Sequence, residues 1–201
     1  RTFADRIIRT IPQIAEAIGA SKKVIALKGA YEKEIAALKD AIREQNSDVE
    51  IFELGYFYPA GDEQTLIQQV TGRCVPERGL PSDVGCVVDN VGTVLNIADA
   101  LEGKAVTEKY LSVVGEVEHP IQLRVPIGTP VLECVKAAHP TVSDFALIMG
   151  GPMMGKQLTE QAAMEQAVVT KTTGNILVLP KDHYLFRKAS LPMETVRKQT
   201  K

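Results

Sequence analysis

The chain has 201 residues, of which 45% are apolar and 24% charged, with a formal net charge of -2. That is long enough to bury one large core or two small ones. No apolar run reaches the roughly 18 residues of a membrane span, and the weak net charge gives no electrostatic reason to bind nucleic acid.

Three dispersed cysteines, Cys74, Cys86 and Cys134, have neither a C-x-x-C pair nor a neighbouring His at ligand spacing, so no metal site is expected. An odd number of scattered thiols fits a reducing, cytoplasmic setting better than a disulfide scaffold. The opening RTFADRIIRT lacks an initiator Met, and RKASLPMETVRKQTK ends without a turn signal, so the sequence reads as a segment of something longer.

In chain order, Ile7, Ile8, Ile11, Ile14 and Ile18 recur at helical spacing, with Gly19 at the C-terminal cap position and Pro12 marking a kink or the true start. VIAL, from Val24 to Leu27, reads as a buried strand. Tyr31 to Gln45 carries Ile35, Leu38 and Ile42 on one helical face, and VEIFEL gives a second strand. A helix with Leu66, Ile67 and Val70 ends at Gly72, the loop CVPERGLPSD follows, and VGCVV predicts a third strand before a helix from about Gly92 to Leu101. Apolar strands alternating with helices predict a Rossmann-like parallel sheet with helices on both faces.

Past LEGKAVTEK the pattern changes. LSVVGEV and IQLRVPI predict a strand pair joined by EHP, and Val131, Leu132, Val135 and Ala138 predict a helix. FALIMGG and NILVLP add strands, with the glycine- and methionine-rich turn Met149 to Lys156 between them. This is the composition of a small α+β domain of the β-grasp kind. The boundaries expected are 1–104 for the first domain, 105–180 for the second, and 181–201 for a basic tail.

Ligands of open α/β sheets collect beyond the carboxyl ends of the strands, where helix N-termini converge. Two segments have that address: Tyr58 to Glu63 after VEIFEL, and Val88 to Thr93 after VGCVV. Both place small or amide-bearing residues where backbone N–H groups are free to bind. Asp62 and Asn90 serve equally well as helix caps, Glu63 as a first-turn charge, Gly61 as a turn residue and Tyr58 as packing. Two adjacent acids repel phosphate and suit a hydrogen-bond donor such as an amide or a ribose hydroxyl. His119, His139 and His183 are isolated from any Ser, Cys or Asp arrangement that suggests nucleophilic catalysis, and no G-x-G-x-x-G occurs.

These motifs carry a family likeness. YPAGDEQTLIQQVTGRCVPERGLPSDVGCVVDNVGT, with VTEKYLSVVGEV, VPIGTP, IMGGPMMG and TKTTGNILVLPKDH, resembles the RnfC component of the Rnf electron-transport complex and the PduS-type cobalamin reductases. It is more distantly similar to the flavin-binding subunit of respiratory complex I. The resemblance implies a Rossmann-like FMN- and NADH-binding domain followed by a soluble-ligand-binding (SLBB-type) β-grasp domain. It implies electron transfer from NADH through FMN to [4Fe-4S] clusters. Tyr58, Gly61, Asp62 and Glu63 would line the flavin and nicotinamide pocket, with Glu63 and Asp62 as the catalytic pair that positions the nicotinamide. Val88, Asp89, Asn90 and Thr93 would contact the flavin. The implied partners are other subunits of an electron-transfer complex or a corrinoid-linked reductase, at the periphery of a membrane complex or inside a bacterial microcompartment.

The family's glycine-rich phosphate loop and its cysteine-rich cluster segment are not among these 201 residues, so the expectation is a flavin pocket missing one wall and a segment inactive by itself. Asp62, Asp89 and Gly92 also depart from the complex I pattern. The competing expectation is a non-enzymatic binding or docking module that uses the β-grasp domain over a Rossmann-like scaffold.

Overall fold

A computed structural model describes residues 1–189, and the end of the expected basic tail, 190–201, lies outside the described residues. The chain divides into two compact units, Arg1–Ala105 and Val106–Lys201.

In the first unit, α1 (Ala4–Ile18) runs without interruption through Pro12 and buries Ala4, Ile8, Thr10 and Ala15. The buried Thr10 hydroxyl donates to the Arg6 carbonyl at 2.7 Å, which satisfies it within the helix. Gly19 caps the end in the left-handed conformation. Strand β1 (Val24–Lys28), helix α2 (Glu32–Glu44) and strand β2 (Glu50–Leu54) form a strand–helix–strand unit in which β1 and β2 pair in parallel, Ile25 opposite Ile51. Ile25, Leu27 and Ile51 share one core with Ala4 and Ile8 of α1, Leu38 and Ala41 of α2, and Val49. Helix α3 (Glu63–Thr71) follows, then a 3₁₀ turn at Pro81–Val84 and helix α4 (Val91–Leu101), which packs on α1. Arg6 of α1 fixes the far end of α4 through Asp99 at 2.8 Å and Glu102 at 3.0 Å.

The expected strand VGCVV is not one. Gly85 ends the 3₁₀ turn at φ 68°, and its N–H and that of Cys86 return to Ser82 and Pro81. Arg73 donates to the Val84 carbonyl at 2.7 Å. Groups that a ladder would use are thus held in a turn, and Val87 is 63% exposed instead of buried.

The second unit is a five-stranded mixed sheet in the order β4-β3-β7-β5-β6. Strands β3 (Glu108–Gly115) and β4 (Ile121–Pro126) form an antiparallel pair, and α5 (Val131–Ala137) crosses to β5 (Phe145–Met149). The short strand β6 (Lys156–Leu158), helix α6 (Gln161–Gln166), strand β7 (Asn175–Pro180) and helix α7 (Tyr184–Ala189) complete it. The first and last strands lie parallel at the centre, between antiparallel neighbours and under a crossover helix, which is the β-grasp arrangement. Leu111, Val113, Leu147, Ile176 and Val178 pack against α5 and α6, while Ala146, Ile148, Leu177 and Leu179 pack with Leu185 and Phe186 of α7. Burial on both faces explains why FALIM and NILVLP read as unbroken apolar runs.

Candidate functional site

The carboxyl ends of β1 and β2 point the same way, so the loops after them, Gly29–Tyr31 and Gly55–Asp62, share one edge of the parallel pair. The Gly29 N–H donates to the Leu54 carbonyl at 3.2 Å and ties the two loops at their roots. From there the second loop turns twice, through Ala60 N–H to Phe57 O at 3.2 Å and Asp62 N–H to Pro59 O at 2.7 Å, with a cis Tyr58–Pro59 bond. Ala60 is the buried anchor at 1% exposure, whereas Tyr56 and Tyr58 are each 74% exposed. A loop pinned by one small residue therefore presents its aromatic rings to solvent.

Asp62 caps α3. Its Oδ1 accepts from the Thr65 N–H at 3.1 Å and from the Thr65 hydroxyl at 3.2 Å. Glu63 begins the helix, and its carboxylate has no partner among the described residues. A methyl group built on Gly61 would meet nothing within 4 Å, so open space adjoins the backbone there.

Asn90 caps α4 in the same way, its Oδ1 accepting from the Gly92 N–H at 2.9 Å, while its carbonyl accepts from Thr93 N–H at 2.8 Å. That leaves the Asn90 Nδ2 donors, the Thr93 hydroxyl and the Asp89 carboxylate without partners among the described residues. Val88 is half-buried just before them.

All eight expected residues thus stand at or just before the starts of two helices. Hydrogen bonds join Asp62 to Thr65 and Asn90 to Gly92 and Thr93, each within its own segment, and none crosses from one segment to the other among the described residues. The second address differs from expectation in one respect: α4 is entered from an irregular segment instead of from a sheet strand. Sequence reasoning passed over Gly29 and the half-exposed Tyr31, in the loop after β1 at the same sheet edge. The signal was a glycine directly after an apolar strand, in VIALKG.

Among the described residues no group of three or more His, Cys, Asp or Glu is placed to hold a metal ion. The rings of His119 and His139 meet edge to face, 5.9 Å between centroids. No helix among the described residues is long and apolar enough to cross a membrane.

Comparison with known proteins places these features in a lineage. Residues 1–99 match the protein-family model described as the Nuo51 FMN-binding domain. The chain is 43% identical over 195 residues to the cobalamin reductase PduS of Citrobacter freundii, covering 96% of this chain and 42% of that protein. It is 32% identical over 182 residues to the C component of the Na(+)-translocating ferredoxin:NAD(+) oxidoreductase complex of Acetobacterium woodii, covering 89% of this chain and 40% of the relative. The chain therefore spans about two fifths of the length of these curated relatives. Among solved structures, a chain of an NAD+-reducing [NiFe]-hydrogenase in the H2-reduced state shares the fold with a TM-score of 0.72 at 22% identity, over 90% of this chain and 37% of that one.

Proposed function

Because this chain belongs to the family that unites PduS-type cobalamin reductases with the RnfC components of the Rnf complexes, we propose that it is part of an NADH-dependent flavin and iron–sulfur electron-transfer oxidoreductase. The observation that carries the reading is the pair of capped helix starts, α3 and α4, inside the stretch that matches an FMN-binding domain. FMN, when bound, supplies the chemistry of accepting a hydride from NADH and releasing electrons singly to [4Fe-4S] clusters.

The unused polar groups fit the flavin ring and a nicotinamide. Ring carbonyls and nitrogens need donors, which the Asn90 Nδ2 and the Thr93 hydroxyl offer. A carboxamide or a ribose needs acceptors, which Glu63, Asp89 and the remaining Asp62 oxygen offer. Tyr58 provides an exposed ring for stacking, Val88 an apolar contact, and Gly61 a place where backbone and ligand approach without a side chain between them. The acids at these helix starts do not suit a phosphate, so this segment of chain holds ring and sugar and not the phosphate end.

In this reading Asp62 positions the first turn of α3 through its cap, and Glu63 accepts the carboxamide or hydroxyl that orients the reactive face of the nicotinamide. Electrons leave toward other subunits of a complex or a corrinoid-linked reductase. The setting is cytoplasmic, beside a membrane complex or within a microcompartment.

FMN titrated into the complete protein, followed by loss of flavin fluorescence, tests the reading. Asn90→Ala is expected to weaken binding about tenfold, close to 1.4 kcal/mol. Unchanged affinity in both Asn90→Ala and Thr93→Val removes the start of α4 from the site.

A further inference from the structure

The second unit contains a cavity that the electron-transfer reading does not use. Its volume is about 390 Å³, within the range of small-molecule sites. Two segments, far apart in sequence, form it. One is the β5–β6 hairpin, contributing Met149, Gly150, Lys156 and Leu158; the other is the approach to β7, contributing Val168, Thr170, Thr172 and Gly174. Main-chain bonds brace both: Gly150 N–H to Asn175 O at 2.8 Å, Val169 N–H to Thr129 O at 2.8 Å, and Val131 N–H to Ala167 O at 2.9 Å. The cavity is therefore preformed, which lowers the ordering cost of filling it.

Its chemistry is uneven. Leu158 is buried and Met149 half-buried, giving an apolar floor. At the rim, Thr170 Oγ1 lies 3.1 Å from both Thr172 Oγ1 and Thr173 Oγ1, so three hydroxyls gather at one turn. The backbone N–H groups of Thr172 and Gly174 donate to no described residue, and Lys156 forms no ion pair with one. Lys156, the threonine hydroxyls and N–H groups with no described acceptor line the same cavity, and no carboxylate is among its lining residues. Glu160 lines an adjoining groove, which shares Lys156, Leu158 and Ala167 with the cavity and none of the threonine turn. An anion would accordingly sit at the threonine end and an apolar body over Leu158 and Met149.

We propose that this cavity binds a small molecule that joins an oxyanion, phosphate or carboxylate, to an apolar or aromatic body. Lys156 and the Thr170–Gly174 turn hold the anion, and Met149, Leu158 and Val168 hold the body. The proposal is independent of the helix-start site in the first unit.

The test is an amide-resolved NMR titration of the chain with phenyl phosphate, benzoate and benzyl alcohol as probes. Phenyl phosphate or benzoate is expected to shift the amides of Lys156, Thr170, Thr172 and Gly174 saturably, with a dissociation constant of about 1 mM or lower. Benzyl alcohol, which lacks the anion, is expected to bind at least about tenfold more weakly. Saturation by phenyl phosphate alone assigns a phosphate ligand, and saturation by benzoate alone a carboxylate. Lys156→Met keeps the stem of the exposed side chain and removes its charge, so the spectrum of the unit should persist while affinity falls about tenfold. Thr172→Val is expected to weaken binding as well. No saturable shift at this turn with either anion, or equal affinity in Lys156→Met, overturns the proposal.

Discussion

The Asn90 side chain has its oxygen committed to Gly92 N–H at 2.9 Å, while its Nδ2 protons have no described acceptor. Asn90→Ala should therefore do two separable things. Loss of the cap is expected to cost about 1 kcal/mol, read as a lower melting temperature. Loss of the donor should loosen FMN in the complete protein, and Asn90→Asp, which keeps the cap and lacks the amide, should loosen FMN without lowering the melting temperature. Glu63 differs from Asn90, since its exposed carboxylate caps nothing. Glu63→Gln is expected to leave melting almost unchanged and, on the proposed function and in the complete protein, to lower kcat/KM for NADH oxidation about tenfold, or 1.4 kcal/mol; unchanged turnover there would take Glu63 out of the proposed mechanism. The capping of Asp62 and Asn90 was legible in sequence, because a short polar side chain before an apolar helical run has a local cause. The exposure of Tyr56 and Tyr58 was not, because it depends on Ala60 being the one buried residue of that loop.

At the scale of elements, periodicity located most of the helices and both parallel strands, and it failed where an apolar run had no partner strand. VGCVV has strand composition, yet Pro81 at the start of the turn and Gly85 at φ 68° dictate a 3₁₀ turn. The strand β6, only Lys156–Leu158, was too short to carry a period, and its pairing with β5 is set by the intervening hairpin. Gly115, at the end of β3, has φ 103°, and a methyl group there would overlap the carbonyl oxygen of Val178 on β7. Gly115→Ala is expected to destabilise the second unit by at least about 2 kcal/mol, measured by urea unfolding. The α1–α4 clasp has a different signature. Hydrogen bonds from Lys104 first and Arg6 second hold the Glu102 carboxyl below its ordinary pKa. Lys23 lowers that of Asp48 in the same way. Between the folded and unfolded values the unfolded chain binds more protons, so stability rises with pH there and is lost as pH falls through the folded values. Glu102→Gln should therefore lower the urea midpoint near neutral pH, and the gap from wild type should narrow as the pH falls below the ordinary glutamate range.

At the scale of the whole molecule, the two units draw on different amounts of internal support. The first has a two-stranded parallel sheet, with its core between α1, α2 and one face of that pair. Among the described residues, neither strand has a second neighbour, and a sheet of two strands relies on its helices for stability. The second unit has β3, β7 and β5 as inner strands, each paired on both sides, under a larger buried cluster on one face and a smaller one on the other. Opening β7 would break two ladders and expose Ile176 and Val178, both fully buried, at one time. Opening β1 breaks one ladder and exposes only half-buried side chains. Native-state hydrogen exchange is therefore expected to be slower for the amides of β3, β5 and β7 than for those of β1 and β2, by about tenfold or more. Equal protection in β1 and β7 would mean that support beyond one ladder and one helical layer holds the first unit. Faster exchange in β7 would contradict its central place in the sheet. On the proposed reading the flavin contacts lie on loops of the less braced unit, while backbone hydrogen bonds brace the segments that line the second unit's cavity.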